Sequence, residues 1–276
     1  MLRTHLDLNR LELPAQTNHP PIVIARESGI EQRQTAKRIM MPDHAKHAQP
    51  SGHGSFAPCW GYGTQNGPNN WGSLRPEFSC CDTGGEQSPI DLINWRNSEL
   101  APVEYDYGPA RLSVENTGRT IQFNLESKHG IVLDGVYHEL RQFHFHHGSE
   151  HLVEGSRLPL ELHLVHEGKD GSLAVVGVLF REGPEHVALE PIWKNFPGQR
   201  RVVAGNFDLS SLLPRSHLSW RYPGSLTTPP CTEGVAWIIL GEPLSMSAGQ
   251  IARFASIFPN NFRPTQPLGD RILQFG

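Results

Sequence analysis

The chain has 276 residues, 37% of them hydrophobic and 19% charged, with a formal net charge of −4. That profile fits a globular protein with a sizeable core, and it offers no basic excess to draw nucleic acid. No apolar run approaches the roughly 18 residues needed to span a bilayer, and the longest, 173–180, has the length of a strand.

Residues 1–56 mix charges with Pro20, Pro21, Pro42, Pro50 and several histidines, and only Ile22-Val23-Ile24 is compactly apolar. Too little apolar surface is present there to offset the entropy of ordering, so a mostly disordered arm is expected ahead of a domain at 57–276. His44, His47 and His53 read as parts of that solvated arm rather than as a metal site. The arm also lacks the continuous apolar segment of about 7–15 residues that marks a signal peptide, so it gives no direct evidence of export.

From Trp60 onward turn signals multiply, in Trp60-Gly61-Tyr62-Gly63, Asn66-Gly67-Pro68 and Asp82-Thr83-Gly84-Gly85. Strand-like runs then recur at 111–115, 120–125, 130–133, 138–146, 160–166, 173–180 and 235–240. Their close spacing, with turns between, implies largely antiparallel pairing. Helical patterns are sparse: 185–194, a short turn at 209–213, and 248–257, with Ser247 as its cap and Pro259 as its stop. The expected fold is therefore mainly β (α+β), a single domain with one large sheet and short peripheral helices.

Cys59, Cys80, Cys81 and Cys231 are too few and too scattered for a zinc ribbon, and no Cys-x-x-Cys occurs. One long-range disulfide joining Cys231 to Cys80 or Cys81 is expected, and its home would be an oxidising compartment. Closing a loop of about 150 residues contributes at most ~5 kcal/mol by the chain-entropy argument.

Chemistry concentrates at Gln142-Phe143-His144-Phe145-His146-His147-Gly148-Ser149-Glu150. Aromatic and polar residues alternate from Gln142, so Gln142, His144 and His146 project from one face of a strand, the two imidazoles about 7 Å apart along it. In Leu160-Glu161-Leu162-His163-Leu164-Val165-His166 the same alternation sets Glu161, His163 and Val165 on one face. Antiparallel pairing of the two runs supplies a third imidazole. Three neutral nitrogens and one open position are the pattern of a catalytic zinc. Gln142 and Glu161 each stand two residues before a ligand on the same face, placed to accept the imidazole's other N–H and fix its tautomer.

His144-x-His146 followed by Glu150 also has the spacing of a cupin's motif, in which Glu150 would itself ligate iron or manganese. That likeness ends there, since a cupin's later ligand motif has no counterpart downstream. In Ser225-Leu226-Thr227-Thr228-Pro229-Pro230-Cys231, two hydroxyls precede two prolines that lock the backbone. Beside three histidines, such a hydroxyl can orient a metal-bound group.

Taken together, these blocks resemble an α-class carbonic anhydrase of bacterial type from about Trp60 to Phe275. Trp60-Gly61-Tyr62, Gln87-Ser88-Pro89-Ile90-Asp91 and Asn261-Phe262-Arg263-Pro264-Thr265-Gln266-Pro267-Leu268 add to the match, in the right order. The resemblance implies a strongly twisted, mostly antiparallel central sheet with Zn2+ on His144, His146 and His163 at the base of a cleft. Its reaction is reversible hydration of CO2 to bicarbonate by zinc-bound hydroxide. Thr227 would orient the hydroxide and donate to Glu150, which stays off the metal; Thr228 would lie beside the product, and Val165, Val175, Leu226 and Trp237 would wall the CO2 site. It also implies the Cys81–Cys231 pairing, inhibition by sulfonamides or anions, a periplasmic or extracellular location and a possible homodimer. A relative that keeps the fold as a silent binding module would usually have lost a zinc ligand, whereas all of these residues are present.

Two positions depart from the family. Arg119 stands where efficient members carry the proton-shuttling His, and a guanidinium stays protonated at neutral pH, so slower regeneration of the hydroxide is expected. His147 replaces a usual Trp and alternates away from the metal face, which suits packing or surface exposure. His151 and His166 read as satisfied structural histidines.

Overall fold

The strands that position the site are β1 (Pro109–Asn116), β2 (Ile121–Leu125), β3 (Val136–His147), β4 (Leu160–Gly168), β5 (Leu173–Glu182), β6 (Val202–Asp208), β7 (Ser219–Ser225) and β8 (Glu233–Met246). They are taken from a computed structural model that describes residues 60–126, 128–193 and 202–276. The expected arm at 1–56 and Cys59 lie outside the described residues.

These strands belong to one twelve-stranded sheet in the order β6-β1-β2-β3-β4-β5-β8-β7, continued by Gln274–Phe275 and Arg96–Asn97. Neighbours from β6 to β5 are antiparallel, as is β7 on β8. The central β5–β8 pair is parallel, which makes the sheet mixed and needs the long crossover that holds β6 and β7.

Alternation along the strands separates two apolar clusters. Phe143, Phe145, Leu162, Leu164, Val176, Val178, Ile238 and Leu240 pack on one face. Phe143 stacks on Phe123 at 4.4 Å between ring centroids, and Phe145 meets Trp193 edge-on at 4.8 Å. Val165, Val175, Trp237 and Ile239 belong to the cluster on the other face, which also carries the histidines. β4 is buried almost throughout, so its side chains, polar ones included, must find partners inside the protein.

Expected elements and observed ones differ where backbone chemistry outweighs pattern. The helix expected at 185–194 is α-helical only over Glu190–Trp193, with Lys194 outside the described residues. Before it, Leu189 N–H donates to His186 O and Glu190 N–H to Val187 O, which are tight turns, while His186 N–H goes to Gln250 Oε1. The C-terminal helix runs Ala248–Ala255 and starts as expected: Ser247 Oγ accepts from Gln250 N–H while Gln250 Oε1 accepts from Ser247 N–H. β7 escapes sequence reading because Pro223 sits within it. Its second neighbour pairs only at Trp220 and Arg221, so the missing N–H of Pro223 falls where no ladder bond is needed on that side.

Candidate metal centre

The strand register builds the centre as a grid. His144 on β3 lies directly opposite His163 on β4, His146 opposite Glu161, and Gln142 opposite Val165. Across β5 and β8 the row of Val165 continues through Val175 to Trp237, and the row of His163 through Gly177 to Ile239. A Cβ at Gly177 would stand 2.5 Å from Ile239 Cδ1 and 3.3 Å from Glu161 Oε1, so glycine leaves the Glu161 carboxylate its room.

One ligand atom from each of His144, His146 and His163 falls within 4.8 Å of the others. Each ring has its other nitrogen engaged. His144 Nδ1–H donates to Gln142 Oε1 at 2.8 Å, His146 Nδ1–H to Asn261 O at 2.7 Å, and His163 Nε2–H to Glu161 Oε1 at 2.8 Å. These acceptors fix the tautomers so that His144 Nε2, His146 Nε2 and His163 Nδ1 carry the lone pairs. Burial pushes the His146 imidazole below its ordinary range, which keeps it neutral and able to ligate.

Glu161 is fully buried and serves two histidines: besides His163, it takes His151 Nδ1–H at 2.7 Å and His151 N–H at 2.8 Å. Burial pushes its carboxyl up, but the charges and hydrogen bonds of His151 and His163 prevail and hold it well below the usual carboxylate range. His151 Nε2 in turn meets Tyr222 Oη at 2.7 Å. His166 is likewise satisfied, with Nε2 at 2.7 Å from Tyr107 Oη, and burial pushes its pKa down to about 3. His147 is absent from the lining of the cleft and accepts from Asn260 N–H at Nδ1.

Glu150 follows the turn at Gly148, whose φ of +75° favours glycine and where a Cβ would lie 2.8 Å from the Phe262 ring. Glu150 Oε1 accepts from Arg263 N–H at 2.7 Å. Glu150 Oε2 and His146 Nε2 are buried without a hydrogen-bond partner, and they stand 3.6 Å apart. The Thr227 bond implied by the resemblance is thus not made at this oxygen. Leaving such groups unmet costs about 1–3 kcal/mol each. A cation among the nitrogens and a proton-bearing group beside Oε2 would meet both, and a set of neutral imidazoles suits zinc.

Thr227 is buried and Thr228 lines the cleft, on a loop held from several sides. Cys81 and Cys231 form a disulfide, Gln87 Nε2 donates to Cys231 O at 3.1 Å, and Trp237 Nε1 donates to Ser225 O at 2.9 Å. Cys80 is a free thiol, pushed up by burial and accepting from Gln87 Nε2. Val165, Val175 and Trp237 are buried in one cluster with Leu226 packed against it, and Trp237 meets the His163 ring edge-on at 4.9 Å.

Trp60, Tyr62, Arg119, Gln122, Gln142 and His144 are among the residues that line the cleft above the histidines. Sequence reasoning missed Asn261, although its block was part of the resemblance. Its carbonyl holds His146, its Oδ1 takes His147 N–H, and its Nδ2 reaches Arg119 O and Phe145 O. A main-chain acceptor leaves no trace in residue type.

A family model described as eukaryotic-type carbonic anhydrase matches residues 66–275. The chain belongs to the alpha carbonic anhydrase family. It is therefore a carbonic anhydrase, a carbon–oxygen lyase of CO2 hydration. A carbonic anhydrase from Nostoc sp. is 40% identical over 225 residues, covering 78% of this chain and 84% of that one. Among solved structures, the alpha carbonic anhydrase from Thermovibrio ammonificans, in complex with the inhibitor sulfanilamide, is 42% identical with a TM-score of 0.75, over 78% of this chain and 98% of that one. Dioscorin complexed with ascorbate is 33% identical, with a TM-score of 0.74 over 79% and 98% of the two chains. No helix among the described residues of this carbonic anhydrase is long and apolar enough to cross a membrane.

Proposed function

We propose that this carbonic anhydrase binds zinc through His144, His146 and His163 and uses it for reversible hydration of CO2. The observation that carries the reading is the set of three convergent imidazoles, each with its other nitrogen already given to an acceptor. Zinc, when bound, acidifies a coordinated water to a pKa of about 7, a value established for carbonic anhydrase itself rather than obtained from this geometry.

The chain's own residues do the positioning. Gln142, Asn261 O and Glu161 keep the rings in the ligating tautomer and orientation. Glu150 Oε2 is left as the acceptor for the Thr227 hydroxyl, whose own oxygen would then accept a hydrogen bond from the nucleophile and aim its lone pair. Val165, Val175, Leu226 and Trp237, packed in one apolar cluster, would wall the site of a substrate without charge or strong donors, and Thr228, which lines the cleft, would lie beside the product. Arg119 lines the cleft at the shuttle position, so the proton passes to buffer without an intermediate imidazole. The disulfide supports folding in an oxidising compartment, periplasmic or extracellular.

Zinc analysis of the purified chain and of Glu150→Gln tests the assignment. Full zinc occupancy in both, with hydration impaired only in the variant, is expected. Loss of metal from Glu150→Gln, or iron or manganese in place of zinc, would favour the carboxylate-ligand reading and contradict this one.

A further inference from the structure

Arg119 occupies a turn that fixes where its charge sits. Thr117 N–H and Oγ1–H both donate to Thr120 O, Gly118 at φ +77° carries the reversal, and Asn116 Oδ1 accepts from Gly118 N–H. Asn261 ties the Arg119 carbonyl to the same residue that orients His146. The guanidinium lies over the Trp60 ring at 4.1 Å, and its Nε–H donates to Trp60 O at 3.0 Å. Among the described residues lining the cleft Arg119 alone carries a fixed charge, the others being aromatic, hydroxyl, amide or imidazole. No carboxylate is among the described residues lining the cleft, and Glu150 and Glu161, the acids beside the histidines, are fully buried.

Each hydration releases one proton, and a base that takes it must enter this cleft. A neutral base such as imidazole leaves as a cation and meets growing repulsion from Arg119 as it is protonated. Hydrogen phosphate dianion enters under attraction and leaves as the monoanion. Resting on the carbonic anhydrase reading, we propose that Arg119, clamped to Trp60, makes the cleft selective for oxyanion proton acceptors over neutral nitrogen bases. Only the sign and fixed position of the charge are needed, and the guanidinium itself moves no proton. At separations of about 8 Å and an effective dielectric between water and a protein surface, one such charge changes the relative rates by roughly threefold to thirtyfold.

The test compares phosphate with imidazole, bases of similar pKa, as the variable buffer in CO2 hydration by the zinc-loaded protein, Arg119→Gln and Arg119→Lys. The ratio of the two buffers' second-order rate constants is expected to fall by about threefold or more in Arg119→Gln and to persist in Arg119→Lys. It should also shrink as ionic strength rises. Inorganic phosphate titrated into the zinc-stripped proteins gives a readout free of turnover: affinity should drop by a similar factor in Arg119→Gln and hold in Arg119→Lys. A buffer ratio and a phosphate affinity both unchanged in Arg119→Gln would assign any preference to the metal and overturn the proposal. Absence of hydration in every buffer would defeat the carbonic anhydrase reading instead, while the phosphate titration would still report on Arg119.

Discussion

The floor of the cleft and its mouth are built by opposite means. At the floor, side chains from β3 and β4 face one another in strict register, and each imidazole is held at a defined nitrogen by a buried or half-buried acceptor. At the mouth, a four-residue turn and one stacked guanidinium set the environment. The floor tolerates little because a misplaced buried polar atom has no water to turn to. A mouth residue such as Arg119 can change its chemistry without disturbing that register. The difference teaches that floor and mouth can vary independently, and on the proposed reading the hydration step and the proton step are then separable.

His163→Ala should break the comparison at its base: zinc content falls and CO2 hydration drops by at least about a thousandfold, read from metal analysis and kcat/KM together. Thr227→Ala keeps zinc but loses the donor and acceptor that aim the nucleophile, at a cost of about a hundredfold or more in kcat/KM. Gln142→Ala and Glu161→Gln leave the three ligands present but loosen their orientation, so zinc affinity measured by competition with a chelator should weaken by about tenfold to a hundredfold. Arg119→His should act only on the proton step, raising maximal turnover in dilute buffer by about tenfold and leaving kcat/KM almost unchanged. Equal buffer dependence in the wild type and Arg119→His would merge the two regions into one.

His166 offers a control away from both regions. Its pKa falls from an ordinary 6.5 to about 3 in the folded protein. Below pH 6.5 the unfolded chain binds a proton that the folded one refuses, so stability is lost as pH falls from 6.5 towards 3. The slope from this group is about 1.4 kcal/mol per pH unit. In denaturant unfolding from pH 7 to 4, the wild type should lose stability more steeply than His166→Phe, by about that slope.

Much of the floor is legible in the sequence because strand alternation is a local property. One residue lies between Gln142 and His144, between His144 and His146, and between Glu161 and His163, so ligand and orienting acceptor share a face whatever the rest of the chain does. The disulfide partner and the separate roles of Thr227 and Thr228 became legible only through the resemblance: Cys80 and Cys81 differ by one position and either could reach Cys231 on sequence grounds, and the loop's residues alone mark only a rigid hydroxyl beside the histidines. What stayed hidden is non-local and main-chain in origin. Asn261 O serves His146 from 115 residues away, and Arg263 N–H serves Glu150 from 113. The parallel β5–β8 pair was hidden for a related reason, since apolar runs fix which face is buried and not which neighbour a strand takes. Pro223 concealed β7 by breaking a local rule at a place where only one edge needed its hydrogen bonds.

The most direct measurement is stopped-flow CO2 hydration on purified protein whose zinc has been quantified. Rapid hydration at one zinc per chain, abolished by a sulfonamide and by His163→Ala, is the expected result. Full zinc occupancy with no hydration above the uncatalysed rate would contradict the account and leave the chain a zinc-binding relative without the activity.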